Sequence, residues 1–288
     1  MIKLIAIDMD GTLLGDIRKV TTDNAKAIKE AQNQGIEVVV ATGRDEKEAR
    51  LPVKEANITC PIISVNGAQS RDEKGNILSS FPINKEQANV IFDILRTNEI
   101  YFEVYTNRGT VSNNYEKALQ TVVDFLLSSG SDDDMETMRE IAKERFEVGA
   151  ITLVDSYHNF LEQEDTIVLK VLAFSKDDQK RNLTRKKLLD IDQLAISASA
   201  RDNIEITSIH AQKGLAVKAY AQKLGISMND VMVIGDSFND ISMFEVAGVR
   251  VAMENAEQEV KELADFVTNS NEEDGVAFAI RSALAENK

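Results

Sequence analysis

Cysteine is nearly absent from this chain: Cys60 stands alone among 288 residues, so no internal disulfide can form. Histidine is almost as scarce, with only His158 and His210, which leaves no Cys/His set for a structural zinc. Cations are outnumbered, 33 Lys and Arg against 48 Asp and Glu, for a formal charge of −15 and a pI near 4.7. A surface of that sign suits neither nucleic acid nor an anionic membrane, because phosphate backbones recruit Lys and Arg. It still leaves room for a small phosphorylated ligand, since a few local cations and a metal override the global field. No apolar run is long enough to span a bilayer and no signal-peptide pattern opens the chain, so the expectation is a cytoplasmic protein. Internal repeats and low-complexity segments are also missing. What is present is ordinary for a folded protein: 43% hydrophobic and 28% charged residues exclude wholesale disorder. At roughly 150 residues per domain, the length predicts about two domains.

The two ends of the chain share one grammar. Residues 2–7 form an apolar run broken only by Lys3, as expected of a strand buried on both faces. Residues 23–34 read as a helix, with Thr21 or Thr22 as N-cap and Gly35 just past its end. A strand at 36–41, a helix at 44–55 interrupted at Pro52 and a strand at 61–65 follow. Strand, helix, strand, helix, strand with short connections predicts an α/β fold with a doubly wound parallel sheet, whose ligands bind at the carboxyl ends of its strands. The pattern returns with a helix at 213–224, a strand at 231–234, a helix at 239–247, a short strand at 249–252, a helix near 256–264 and a last strand at 266–267. Between these blocks, helical stretches at 86–97, 114–129, 134–147 and 178–189 alternate with strand-like ones at 101–105, 166–174, 194–198 and 203–207. This predicts a separate α+β domain at 84–207, inserted into a core made of 1–83 and 208–288. The acidic run Ser131-Asp132-Asp133-Asp134 reads as a solvated helix start. Tyr101, Phe102 and Tyr105 alternate like strand packing, and Cys60 before Pro61 reads as a small buried apolar residue.

Four stretches carry chemistry, each at a strand end or helix start. In Asp8-Met9-Asp10-Gly11-Thr12, two carboxylates at i and i+2 beyond a strand can converge on one pocket, and Gly11 permits a sharp turn. Such a pair can hold a divalent cation, or divide into an ionised nucleophile and a protonated acid. Alone, it also fits an Asp-rich turn capping a strand. Thr42-Gly43-Arg44 offers a hydroxyl and free N–H groups at a helix N-terminus, an anion site, although a plain N-cap Thr has the same pattern. Lys213 opens a helix at its positive end, where an anionic partner would account for it; an exposed lysine is the bland alternative. Gly235-Asp236-Ser237-Phe238-Asn239-Asp240 places two more acids and an amide directly after a buried strand.

In this order, the four segments resemble the motifs of the haloacid dehalogenase (HAD) superfamily of phosphohydrolases. The resemblance is closest to its Cof-type branch, with a large α+β cap between Arg44 and Lys213 and the segment Ser64-Val65-Asn66-Gly67-Ala68. It implies that Asp8 is a nucleophile forming an aspartyl-phosphate and that Asp10 is the acid and then the base. It implies Mg²⁺ on Asp8, Asp236 and the backbone carbonyl of Asp10. Thr42 and Lys213 would hold the phosphoryl oxygens, assisted by N–H groups near Met9 and Gly43 and by Asn239, while Asn239 and Asp240 orient Lys213 or the metal waters. Arg44 fits a substrate or cap contact and a surface residue equally well, and a loop role is the safer reading for His210.

The expected function is therefore Mg²⁺-dependent hydrolysis of small phosphomonoesters, with sugar phosphates the broadest class and no nucleic-acid or membrane partner. A phosphomutase or phosphotransferase of the same architecture, a phosphoacceptor module similar to a receiver domain, and a silent binding protein are the rivals. Oligomeric state is not legible in the sequence.

Overall fold

The computed structural model describes residues 1–15, 17–128, 134–147, 149–198 and 202–286; Ser131, Asp132 and Asp133 of the acidic run lie outside them. The chain divides into two compact units, Met1–Phe81 with His210–Lys288, and Pro82–Ile209.

The first unit begins with β1 (Leu4–Asp8), every residue of which is buried. Thr21 caps α1 (Thr22–Asn33) by accepting the N–H of Asn24, and Gly35, in the left-handed region, releases the chain into β2 (Glu37–Ala41). Next come α2 (Glu46–Glu55), capped by the Asp45 carboxylate, and β3 (Ile62–Ser64). The break expected at Pro52 does not occur. The ring withdraws one N–H, but the Pro52 carbonyl still accepts from Ala56, and the ring is buried in the helix's apolar face. The helix also starts later than expected, so Arg44 stays in the loop. A hairpin of β4 (Gln69–Arg71) and β5 (Ile77–Ser80), too short and polar to be read from sequence, closes this half.

The second unit opens with α3 (Lys85–Thr97), whose Asn84 and Gln87 form a reciprocal cap. It continues through β6 (Tyr101–Thr106), β7 (Gly109–Ser112), α4 (Tyr115–Ser128), α5 (Met135–Glu147), β8 (Ile151–Leu153), α6 (Tyr157–Leu161), β9 (Val168–Phe174), α7 (Asp178–Leu189), β10 (Leu194–Ser197) and β11 (Asn203–Ser208). Its sheet runs β10-β11-β9-β6-β7-β8, antiparallel except for β7 beside β8. Phe102, Val104, Val171 and Ile206 share a core with Ile91 and Phe92 of α3. Tyr101 and Tyr105 alternate to the other face, where Tyr101 bonds Ser112 and the Lys170 ammonium lies over the Tyr105 ring.

Returning to the first unit, α8 (Lys213–Lys223), β12 (Val231–Gly235), a single 3₁₀ turn, α9 (Ile241–Phe244), β13 (Val249–Ala252), α10 (Gln258–Leu263), β14 (Phe266–Val267) and α11 (Gly275–Glu286) complete it. The helix α11, absent from the sequence reading, packs on α1. The sheet order is β14-β13-β12-β1-β2-β3-β4-β5. It is parallel from β14 to β3, the doubly wound parallel sheet expected, and a short polar hairpin extends it antiparallel at one edge. The chain winds outward from β1 through β2 to β3, then resumes on the other side of β1 with β12. That reversal is a topological switch point, and it lies between Asp8 and Asp236. Among the described residues, no helix is long and apolar enough to cross a membrane.

One contact ties the fold to the site. Gly214 donates its N–H to Ser242 Oγ at 3.0 Å, and a Cβ there would lie 1.8 Å from the Ser242 carbonyl oxygen. Gly214→Ala must push α8 off α9 and should destabilise the protein by about 3 kcal/mol or more. Thermal denaturation checks this; an unchanged melting temperature would refute the close contact.

Candidate active site

Because Ile7 pairs with Ile234, β1 and β12 end side by side, and Asp8, the last residue of β1, comes to one place with Asp236, the first beyond β12. The 3₁₀ turn then brings in Asp240, and single carboxylate oxygens of Asp8, Asp236 and Asp240 lie within 4.8 Å of one another. Lys213, almost wholly buried at the start of α8, donates to Asp8 Oδ1 at 2.5 Å and to Asp240 Oδ1 at 2.7 Å. The other oxygen of Asp240 accepts the backbone N–H groups of Asp236 and Ser237 at 3.0 and 3.1 Å. Asp240 is thus fully engaged in holding Lys213 and shaping the turn. Thr12 Oγ1 donates to Asp236 Oδ1 at 2.6 Å. Gly11 is required twice over: its φ is +78°, and a Cβ would meet Asp236 Oδ2 at 2.5 Å.

Three carboxylates against one ammonium leave an excess of negative charge. Burial, reinforced by Asp240 and Asp236 and opposed by Lys213, raises Asp8 well above the carboxylate range. Burial and the charge of Asp240 push Asp236 up to about 6, despite the Thr12 bond that works the other way. Burial would lower Lys213, but Asp240 and Asp8 outweigh it and keep the ammonium protonated. The deficit is of the kind a hard divalent cation relieves, and the donors are all oxygen. Asp8 and Asp236 fit such an ion; Asp240, spent on Lys213 and two amides, is the poorer ligand.

The remaining candidates gather around Thr42. This residue is buried and accepts the Arg44 N–H on its hydroxyl oxygen at 3.1 Å. Arg44 turns to Asp10, with Nε on Oδ2 at 2.9 Å and Nη2 on Oδ1. The structure adds a contact that the sequence did not suggest: Arg44 grips the candidate acid and base. Burial opposes the guanidinium charge, but the Asp10 bonds leave its pKa raised. The Met9 side chain is core, and its carbonyl accepts from Leu14. Asn239 is exposed and donates to Asn66 Oδ1 at 3.1 Å, so of the pair expected to orient Lys213 it is Asp240 that touches it. Gly43 lies against the same Asn66 amide.

Sequence reasoning missed Thr12 and Asn66 as site residues, although both stand inside the segments it singled out. It also missed Asn255, which donates to the Gly11 carbonyl at 2.8 Å from a loop with no motif to mark it. His158 bonds Asn89 in the second unit, and His210 is exposed in a turn. The Cys60 thiol, pushed up to about 12 by burial, is no nucleophile.

Paired acids beside a switch point, a buried lysine and a threonine in the loop after β2 are what the site brings together, and comparisons of the whole chain with known proteins place it in a family. A model of the haloacid dehalogenase-like hydrolases matches residues 5–280, and the chain belongs to that family, in its Cof-type branch. It is 34% identical over 284 residues to the phosphatase YwpJ of Bacillus subtilis, covering 98% of this chain and 100% of the relative. It is 36% identical over 284 residues to the 5-amino-6-(5-phospho-D-ribitylamino)uracil phosphatase YwtE of the same organism, covering 98% of each. A solved haloacid dehalogenase-like hydrolase from B. subtilis superposes with a TM-score of 0.84 at 33% identity, over 97% of this chain and 99% of that one. The protein is a HAD-type phosphatase.

The charge excess has a measurable consequence. With its carboxyl raised from 3.8 to about 6, the metal-free native state binds the Asp236 proton more tightly than the unfolded chain does. Stability tied to that proton is complete below the unfolded value and is lost as pH rises toward about 6, a deficit on the order of 3 kcal/mol at neutral pH. Asp236→Asn in EDTA should therefore melt roughly 3–6 °C higher than wild type near neutral pH, with the gain fading at about pH 4. A neutral or lower melting temperature at neutral pH would show that the cluster carries no such burden.

Proposed function

We propose that the protein hydrolyses small phosphomonoesters in the cytoplasm, with Mg²⁺, through an aspartyl-phosphate on Asp8. The observation that carries this reading is Lys213, buried and bonded to both Asp8 and Asp240 beside Asp236. An ammonium in that position offsets repulsion between the acids and a dianionic phosphate, and phosphoryl transfer depends on positioning and neutralisation above all.

In the first step Asp8 attacks phosphorus in line, its new P–O bond forming as the bond to the leaving oxygen breaks, and Asp10 delivers the proton to that oxygen. In the second step Asp10 takes a proton from water, which attacks the acyl phosphate; inorganic phosphate leaves and Asp8 is restored. Arg44 sets the direction of the Asp10 carboxyl. The Thr42 oxygen already accepts from Arg44, so its own proton is free to donate to a phosphoryl oxygen, next to the Gly43 N–H. Asp8, Asp236 and the Asp10 carbonyl would hold Mg²⁺, which when bound neutralises phosphoryl charge. The inserted unit is the specificity element, and sugar phosphates and related metabolites are the substrate class. A phosphorylated ribityl compound belongs in the panel because a relative acts on one.

The test is phosphate release from a panel of phosphorylated sugars, polyols, nucleotides and pyridoxal phosphate, with Mg²⁺ or EDTA. Asp8→Asn should lose roughly 10³-fold or more while melting like a folded protein. Positional isomers in place of inorganic phosphate would convert the reading to a mutase, and a long-lived phospho-protein without turnover to a signalling module. Near-normal rates in Asp8→Asn would remove Asp8 as nucleophile.

A further inference from the structure

Three successive residues after β3, Val65, Asn66 and Gly67, have φ of +52°, +54° and +95°. Asparagine and glycine tolerate the left-handed region, but a β-branched valine there is a genuine outlier, and such strain persists only where surroundings over-determine it. The surroundings are three of the four motif segments. Val65 N–H donates to the Arg44 carbonyl and Asn66 N–H to the Thr42 carbonyl, both at 2.9 Å. The Asn66 side-chain oxygen accepts from Asn239 Nδ2 at 3.1 Å and lies 3.2 Å from where a Cβ on Gly43 would be. Gly67 approaches the residue before Lys213 so closely that a Cβ would lie 2.4 Å from the Gln212 carbonyl oxygen.

This geometry aims a backbone donor. Every peptide bond of the described residues is trans, so a carbonyl and the following N–H point in opposite directions. With the Thr42 carbonyl drawn toward Asn66 N–H, the Gly43 N–H must face away from the turn. We propose that Asn66 is a positioning residue for phosphoryl transfer: the left-handed turn aims Gly43 N–H, and the Asn66 amide fixes Asn239 against it, so that both stand in register with Lys213. The inference rests on the phosphatase reading above. Asn66 contacts the groups that hold the phosphoryl oxygens, and its contribution is to their alignment in the transition state.

Asn66→Gly isolates the side chain, because glycine keeps the left-handed backbone. It should melt within about 2 °C of wild type. With p-nitrophenyl phosphate and Mg²⁺, kcat should fall about tenfold or more while KM stays within about twofold. Inhibition by orthovanadate, which mimics the five-coordinate phosphorus, should weaken with kcat, and inhibition by inorganic phosphate should change by less than about twofold. Asn239→Ala, at an exposed position, probes the same hydrogen bond from its other end and should show the same split even if the Asn66 variant fails to fold. The double variant should be no worse than the worse single one. A wild-type kcat in Asn66→Gly, equal weakening of vanadate and phosphate, or full additivity would overturn the proposal. A wild type that neither releases phosphate nor is protected from heat by vanadate would overturn the phosphatase reading itself, and this inference with it.

Discussion

The ammonium of Lys213, buried between Asp8 and Asp240, is the interaction on which the rest depends. Removing a charge from water costs several kcal/mol per ion even after relaxation, about as much as many proteins have to spare. The arrangement survives because each partner is satisfied in more than one direction. Lys213 meets two carboxylates, and Asp240 uses its second oxygen on two backbone amides of its own turn. Residues 205 positions apart are thereby held within one hydrogen bond. Displacing the ammonium would leave the clustered carboxylates uncompensated in the core.

The sheet makes this possible at little further strain. Winding outward from β1 in both directions brings the ends of β1 and β12 together without any side chain having to reach far. The glycines at the site act where backbone must approach closely: Gly11 beneath Asp236, and Gly214 against α9. The charge imbalance that remains is a cost to the metal-free fold of the kind found where a site is shaped for a ligand rather than for stability. The turn at Val65–Gly67 belongs to the same category, with backbone strain held in place by its hydrogen bonds to the Thr42 and Arg44 carbonyls.

Much of this was legible beforehand for definite reasons. Buried parallel strands such as Leu4–Asp8 and Val231–Gly235 are continuous apolar runs, and acids placed directly after them have nowhere to go but the carboxyl edge. The hairpin Gln69–Ser80 was not legible, because short polar edge strands carry no periodic signal. Pro52 misled, since a helix can lose one N–H when its ring is buried and the following carbonyl bonds remain.

The roles of side chains divide along a similar line. Local sequence determined which residues could take part: paired acids at i and i+2, a glycine for the turn after them, a threonine just past a strand and a lysine opening a helix. Only the tertiary structure decided who holds whom. Arg44 grips Asp10, Asp240 rather than Asn239 holds Lys213, Thr12 bonds Asp236, and Asn66 joins the Thr42 loop to Asn239. Such pairings depend on strand register and on the direction each side chain takes from its backbone, and residues far apart in sequence acquire both only when the sheet has formed.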